Sequence, residues 1–217
     1  MNPVELMDKA LVDTKEGEES RAGRYRVSNF GRCYRMQYWS RMGQPESNPI
    51  GAKTLRVFKL GDLIHDMVQR QYEPEQLEVE VETEDFKGHA DIVVGDRVYD
   101  IKSIRSYGFK LMRKPEYDIT ADKLNNILQV MGYAYFLNRP GELLFFDKDS
   151  LENNLDIGKP FVFELKDWKD KVVEEMDILC GYWDQKKLPP AIARCYHGKE
   201  CQYCCFESHC KEVEENV

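Results

Sequence analysis

The sequence predicts an α/β fold in which a central mixed β-sheet is flanked by helices. Short apolar-rich runs indicate strands, and longer segments with apolar residues every three or four positions indicate helices. Both kinds of segment occur along one chain, in an order typical of an α/β protein. The 217 residues are enough to bury one sizeable core. We therefore expect a single domain over residues 1–217.

The elements are expected in a definite order. A short first helix and a charged linker come first, and Ser28 is a candidate N-cap for the next helix. A loop with two prolines is expected at 43–51, an irregular basic loop at 105–120, and a stop at Pro189-Pro190. The predicted helices are 2–14, 29–42, 56–72, 121–138 and about 167–187, and the predicted strands are near 77–85, 86–94, 97–104, 142–147 and 160–165.

One predicted hairpin carries two acidic residues and a lysine. Its strands flank Gly95-Asp96, and a two-residue loop that begins with glycine is typical of a type II′ turn. Folding about this turn places Asp91 opposite Asp100, with β-carbons roughly 5 Å apart. Two such carboxylates repel each other unless a cation lies between them. Lys102 projects from the same face as Asp100, because it is two residues further along the strand.

Two carboxylates that hold a divalent metal ion beside a lysine can hydrolyse a phosphodiester. The alternative is an exposed hairpin whose polar face happens to be charged, since Asp-x-Lys is a common tripeptide. The hairpin alone leaves both interpretations open.

Five of the seven cysteines lie near the C-terminus. Cys201, Cys204 and Cys210 have the spacing C-x2-C-x5-C, which is typical of thiolates that hold zinc or an iron–sulfur cluster. Cys33 is a candidate fourth ligand, although Cys195 or Cys205 is able to replace a ligand in this set. A disulfide framework is disfavoured because the cysteine count is odd and no secretory signal is visible.

Five short motifs occur in the order found in a known nuclease family. They are Gly61-x-x-x-His65, Gly88-x-x-Asp91, Asp100-Ile101-Lys102, Gln129-x3-Tyr133, and Cys33 with the C-x2-C-x5-C pattern of Cys201, Cys204 and Cys210. On these motifs, residues 24–212 resemble the RecB-type nucleases of the PD-(D/E)XK superfamily. The chain is similar to their iron–sulfur branch, which includes the CRISPR-associated RecB-like exonucleases and the nuclease domain of AddB-type helicase–nucleases.

The resemblance implies a restriction-endonuclease-like core over about 56–188 and a small cysteine-rich iron–sulfur lobe formed by about 24–42 and 189–212. It implies a metal-dependent DNA exonuclease that degrades single-stranded DNA from an end. The implied ligands of Mg²⁺ or Mn²⁺ are His65, Asp91, Asp100 and the carbonyl of Ile101. Asp91, Asp100 and Lys102 are the implied catalytic residues, with Gln129 and Tyr133 in support. The implied ligands of a structural [4Fe-4S] cluster are Cys33, Cys201, Cys204 and Cys210.

The residues are also consistent with alternative roles, with another metal and with another function. Without the resemblance, His65 is more simply a half-buried histidine, and Gln129 and Tyr133 belong to an ordinary amphipathic helix. All-cysteine ligation also fits Zn²⁺. The rival function is a non-catalytic module that binds DNA ends or a protein partner within a larger recombination, repair, replication or CRISPR complex.

The net charge of −8 is unevenly distributed. Residues 21–60 contain nine basic residues and one acidic residue, and residues 101–114 contain five basic residues and none that is acidic. This segregation predicts a basic groove for phosphates, although separate solvated surfaces would give the same composition. The predicted DNA-binding residues are Arg32, Arg35, Arg56, Lys59 and Arg105. No apolar run approaches the roughly 20 residues of a membrane span, so we expect no membrane contact and a cytoplasmic location.

Overall fold

The computed structural model describes residues 2–16 and 22–215, and the described residues form a mixed six-stranded sheet. The sheet order is β1-β3-β4-β5-β6, with β2 paired to β3. The predicted α/β fold with a flanked mixed sheet is therefore confirmed. The strands are β1 Tyr25–Arg26, β2 Leu77–Glu82, β3 Phe86–Val94, β4 Arg97–Ile104, β5 Gly141–Asp147 and β6 Phe161–Phe163.

The helices account for most of the remaining described residues. The charged linker predicted after the first helix falls mainly on residues 17–21, which lie outside the described residues. None of the described helices is long and apolar enough to cross a membrane. The helices are α1 Pro3–Glu16, α2 Tyr34–Met42, α3 Ala52–Gln69, α4 Ser106–Met112, α5 Ile119–Asp122, α6 Leu124–Leu137, α7 Leu165–Asp184 and α8 Glu207–Glu215.

Two predictions of local structure were wrong, and one helix was not predicted. Ser28 does not cap a helix at 29–42, because it lies inside a short 3-10 helix over Val27–Asn29 and α2 begins only at Tyr34. The loop predicted at 105–120 contains α4 and α5. These helices begin the crossover that the parallel pairing of β4 with β5 requires, and α6 completes it. The cysteine-bearing tail also ends in a helix, α8, that the spacing did not predict.

Helices cover both faces of the sheet. On one face, α6 and α7 pack against the strands around Phe86, Val98 and Leu143. On the other face, Ile64 of α3 packs against Ile92 and Ile101. α6 is buried on most of its circumference and packs against β3 and β4. Its polar side chains therefore reach these strands.

A third cluster of buried side chains joins α2 to the C-terminal tail, and we call it the tail cluster. It contains Cys33, Met36, Tyr38, Trp39 and Phe206. The rings of Trp39 and Phe206 are 5.7 Å apart, in an edge-to-face arrangement. The N-terminal and C-terminal parts of the chain are therefore packed together, as aromatic pairs of this geometry favour.

The sheet opens along one edge of β3. β2 occupies the opposite edge from Lys87 to Ile92. On the open edge, β1 pairs with β3 only at Phe86 and Lys87, and β4 pairs with it only from Ile92 to Val94. Residues 88–91 therefore have no strand partner on this edge, and a gap separates β1 from β4.

In the strands beside this gap, the side chains also switch from one face of the sheet to the other. Side chains two or four residues apart in a regular strand point the same way. Leu77 and Val81 nevertheless pack on opposite faces of the sheet, as do Ala90 and Ile92. In β2 the change occurs at Glu78, whose φ of 46° is unusual for a strand. The distortion lies beside Asp91, the last of the four β3 residues at the gap.

Candidate active site

The gap in the sheet is where six of the predicted site residues meet. β3 contributes Asp91 and β4 contributes Asp100 and Lys102. His65 reaches the same place from α3, and α6 contributes the polar side chains of Gln129 and Tyr133. Four separate elements therefore converge on one position, which is the arrangement expected of an active site rather than of a charged hairpin alone.

Asp91 is buried and is held by the backbone of the neighbouring strand. Its Oδ2 accepts a hydrogen bond from the amide of Ile101 at 2.6 Å, and Nδ1 of His65 lies 3.6 Å from the same oxygen. The predicted hairpin register is confirmed from the turn as far as Ile92 and Tyr99. Beyond that pair the described ladder stops, and the Asp91 side chain takes the place of a backbone partner.

Asp100 is fully buried and binds two polar groups. Its Oδ1 accepts a hydrogen bond from Nε2 of Gln129 at 2.9 Å, and its Oδ2 lies 2.6 Å from the Lys102 ammonium. Among the described residues, no well-aligned hydrogen bond reaches Oδ2, so the nearby charge of Lys102 compensates this buried oxygen. A buried acceptor of this kind readily receives a further cation.

The ionisable groups of the site shift one another's pKa values. Burial, together with the neighbouring Asp100, raises the pKa of Asp91. Burial alone would lower the pKa of Lys102, but Asp100 and Asp91 outweigh it and hold this pKa above its ordinary value. Burial and the charge of Lys102 lower the pKa of His65, which keeps its imidazole neutral and able to bind a metal. Lys102 brings one positive charge to a site that contains two carboxyl groups.

Two motif glycines permit close approaches around this site. A Cβ at Gly88 would lie 2.8 Å from the hydroxyl oxygen of Tyr133, so only glycine lets α6 pack this closely on β3. A Cβ at Gly61 would lie 3.2 Å from Oγ of Ser103, which brings α3 close to β4. The glycines therefore allow α3 and α6 to carry His65 and Tyr133 to the strands.

Two polar residues at the gap were not predicted from the sequence. Glu78 lies opposite Asp91 in the β2–β3 register and is close enough to raise its pKa further, after burial and Asp100. Arg26 lines the cleft at the gap, together with Asp91 and Gln129. No periodic signal was available for either residue, because β1 has only two residues and β2 is distorted at Glu78.

The predicted DNA-binding residues lie at three places in the fold: Arg32 and Arg35 at the start of α2, Arg56 and Lys59 on α3, and Arg105 before α4. Arg35 is 7 % exposed and donates to the Pro189 carbonyl at 2.7 Å, which leaves it little surface for DNA. Arg105 is exposed at the start of α4. The other three have carboxylate neighbours at 3.4–3.5 Å, with the pairs Arg32–Glu200, Arg56–Asp8 and Lys59–Asp62.

The four predicted cluster cysteines lie close together, with Cys33 in the tail cluster and Cys204 and Cys210 packed against it. Burial, followed by the neighbouring thiols of Cys33, Cys204 and Cys210, raises the pKa of Cys201. Cys33 is itself buried, at the N-cap of α2. Cys205 adjoins this group, since a hydrogen bond from its thiol lowers the pKa of Cys204. The fold therefore brings the distant Cys33 to the C-terminal cysteines.

Among residues 2–16 and 22–215, no three His, Cys, Asp or Glu side chains are already arranged to hold a single metal ion. At the gap, the Lys102 ammonium lies 2.6 Å from one Asp100 oxygen, and the amide of Ile101 donates a hydrogen bond to one Asp91 oxygen. The all-oxygen pair with a neutral imidazole still has the chemistry of an Mg²⁺ or Mn²⁺ site, and the buried Asp100 oxygen still lacks an aligned donor.

The architecture defines the class as an α/β protein with a mixed six-stranded sheet flanked by helices. A crystal structure of SSO0001 is similar, with a TM-score of 0.58, and the match covers 97% of this chain and 96% of that one. The sequence identity is 17%, so this likeness concerns the fold. No family model and no curated protein matches the sequence.

Proposed function

We propose that this protein is a metal-dependent DNA exonuclease with a RecB-like, restriction-endonuclease-like core. One observation carries the proposal: the buried Asp91 and Asp100 lie beside Lys102 at a gap in the sheet, where burial and the neighbouring Asp100 raise the pKa of Asp91. The resemblance of five ordered motifs supplies the reaction class and the preference for single-stranded DNA ends.

Each site residue has a role in this proposal. Asp91, Asp100 and the carbonyl of Ile101 hold Mg²⁺ or Mn²⁺, with His65 as a further ligand. The bound ion supplies a water of lowered pKa and neutralises charge on the scissile phosphate. Lys102, held by Asp100 at 2.6 Å, donates to the phosphate oxygens as their charge increases.

Two further residues position this group. Gln129 fixes the Asp100 carboxylate through its hydrogen bond of 2.9 Å, so that one oxygen stays directed at the gap. Tyr133 fills the space left by Gly88 and supports β3 from behind. Both are positioning residues, because their contacts are with the carboxylates and the strand rather than with the reacting atoms.

The cysteine-rich lobe is proposed to hold a structural [4Fe-4S] cluster. The supporting observation is that Cys33 and Cys201, far apart in sequence, lie near each other and near Cys204 and Cys210. A four-iron cluster is larger than a single ion, so it requires a wider spacing of thiolates than a zinc site does. Such a cluster would join α2 to the C-terminal tail.

The nuclease proposal is tested with single-stranded DNA labelled at its 5′ or its 3′ end. The protein is incubated with Mn²⁺ or with EDTA, and the products are resolved by length. We expect shortening that depends on Mn²⁺, and the label that is released first gives the polarity. Binding of DNA ends without any cleavage in Mn²⁺ would favour the rival, a non-catalytic binding module.

The cluster proposal is tested by replacing cysteines one at a time with serine. The Cys33→Ser protein should lose iron, sulfide and the visible absorption band, whereas Cys180→Ser should keep them. Cys180 is the matched control because it lies on α7 beside Asp85 and Arg41, away from the other thiols. Stoichiometric zinc without iron in the unaltered protein would replace the cluster by a zinc site.

A further inference from the structure

Two surface depressions meet at Arg26. The inner one is the cleft at the gap in the sheet, whose wall includes Asp91. The outer one lies at the edge formed by β1 and the start of β3. Arg26 borders both depressions, and the inner one reaches Asp91. The inner depression is also lined by Ser28, Gly88, His89, Gln129 and Tyr133, and the outer one by Ala22, Gly23, Arg24, Glu84 and Lys87.

Arg26 differs from its basic neighbours in having no acidic partner. Arg24 is paired with Glu82, and Lys87 lies 2.9 Å from Glu80. Among the described residues, no carboxylate forms an ion pair with Arg26, and its Nε is buried without a hydrogen-bond partner. A buried guanidinium donor without an acceptor is costly, and it is satisfied when an anion binds.

The backbone fixes the position of Arg26 relative to the metal-binding carboxylates. Arg26 pairs with Lys87 in the β1–β3 ladder, at one end of the gap, and Asp91 lies four residues further along β3, at the other end. Four strand residues span roughly 13 Å. At this backbone separation, a phosphate held at Arg26 would be a neighbour of the scissile phosphate in the proposed nuclease.

We propose that Arg26 binds a backbone phosphate of a nucleic-acid strand that runs from the outer depression into the cleft at the gap. This inference rests on the proposed nuclease function and adds the path of its substrate. The planar guanidinium fork of arginine matches two phosphate oxygens, which a lysine ammonium does not. The hydroxyl of Ser28, exposed at the same cleft, is a second donor to this phosphate.

The test compares Arg26→Gln with Arg113→Gln. Arg113 is a matched control because it is a surface arginine paired with Glu152 at 2.6 Å, and an exposed pair of this kind contributes little stability. Binding of a fluorescent single strand is measured in EDTA over a range of salt concentrations. Cleavage kinetics are then measured with Mn²⁺, and thermal unfolding confirms that both variants fold.

We expect Arg26→Gln to weaken binding by about tenfold and to flatten the dependence of log K on log[salt] by about 0.7, the contribution of one phosphate contact on a single strand. KM should rise while kcat changes little, and Arg26→Lys should recover the salt dependence but not all of the affinity. Arg113→Gln should bind and cleave as the unaltered protein does.

The outcomes separate this inference from the nuclease proposal. If the unaltered protein cleaves DNA but Arg26→Gln has the same affinity and salt dependence as Arg113→Gln, the Arg26 site is refuted alone. If the unaltered protein binds the strand without cleaving it and Arg26→Gln still loses the salt-dependent contact, the nuclease proposal fails and the Arg26 site stands. Absence of strand binding by the unaltered protein would overturn both.

Discussion

Lys102 keeps its positive charge in a buried position because two carboxylates face it. Burial lowers the pKa of an ammonium group, but Asp100 and Asp91 reverse the effect and raise the pKa of Lys102. The ammonium of Lys102 lies 2.6 Å from Oδ2 of Asp100. In the proposed nuclease, an ion held by Asp100 would replace this contact, and Lys102 would then be free to turn toward a phosphate.

Replacing Lys102 with alanine separates catalysis from metal binding. We expect Lys102→Ala to lower the single-turnover cleavage rate by about 10²–10³-fold, the usual effect of losing one donor to a transition-state oxyanion. The affinity for Mn²⁺ should stay the same or increase, because the lysine competes with the ion for Asp100. Calorimetric Mn²⁺ titration and quenched-flow cleavage measure the two quantities. Loss of Mn²⁺ affinity with an unchanged bound-state rate would make Lys102 a metal-site residue instead.

The sequence predicted the residues whose positions follow from local chain geometry. Asp91, Asp100 and Lys102 lie on one hairpin, and the predicted register is confirmed from the two-residue turn as far as Ile92 and Tyr99, next to the two carboxylates. Arg26 could not be predicted in this way, because the two residues of β1 show no alternation and its position depends on a parallel pairing with a strand sixty residues away. Arg35 was assigned to DNA from its charge alone, and its burial against the tail depends on tertiary packing.

At the scale of the elements, the site exists because β1 and β4 diverge along β3 while α6 packs over the opening. The close contact between α6 and β3 depends on Gly88, whose missing side chain leaves room for the Tyr133 hydroxyl. The first and last residues of β3 and β4 agree with the prediction, because a clear turn bounds their apolar runs. The short helices α4 and α5 were not, because seven and four residues are too few to show a helical period.

Substitution of Gly88 should therefore disturb both the fold and the site. We expect Gly88→Ala to reduce the free energy of unfolding by about 1–3 kcal/mol, the usual cost of an extra methyl group in a packed interior. Cleavage should fall as well, since β3 carries Asp91. Gly181→Ala in α7 is the control, because its Cβ meets no atom within 4 Å and alanine favours a helix. Urea denaturation compares the two, and equal stability of both variants would contradict the close-contact argument.

Over the whole molecule, two buried carboxylates connect the tail to the body of the protein. Glu200, 1 % exposed, accepts hydrogen bonds from the amides of Cys33 and Arg194, both at 2.9 Å. Glu175 of α7 accepts two hydrogen bonds from the Arg194 guanidinium, at 2.8 and 2.6 Å. It also accepts one from the amide of Gly31. The tail, the start of α2 and α7 therefore share one network of charges.

Neutralising Glu175 should loosen this connection. We expect Glu175→Gln to lower the free energy of unfolding by about 3 kcal/mol, because Arg194 is left without its charged partner in a largely buried place. The adjacent Glu174 is exposed, so Glu174→Gln should change stability by less than about 0.5 kcal/mol. Urea denaturation measures the difference, and limited proteolysis shows whether the tail becomes accessible first. Equal stability of the two variants would show that this network does not stabilise the fold.

The large-scale organisation was only partly visible in the sequence. Alternating apolar segments were enough to predict the mixed sheet and its flanking helices. The approach of Cys33 to Cys201 was expected only from the family resemblance, because no local pattern connects residues so far apart. Glu175 and Glu200 resemble any other surface acids in sequence, and their burial follows from the packing of the tail on α2 and α7.

If Asp91 and Asp100 hold the divalent ion of a nuclease, cleavage requires the negative charge of Asp100. Mn²⁺-dependent cleavage of an end-labelled single strand is measured for Asp100→Asn and for Asp96→Asn, an exposed residue in the turn of the same hairpin. Asparagine keeps the volume and the acceptor for Gln129 but removes the charge. We expect a loss of about 10³-fold or more for Asp100→Asn, whose fold is retained, and normal cleavage by Asp96→Asn. Near-normal cleavage by folded Asp100→Asn protein would contradict this requirement.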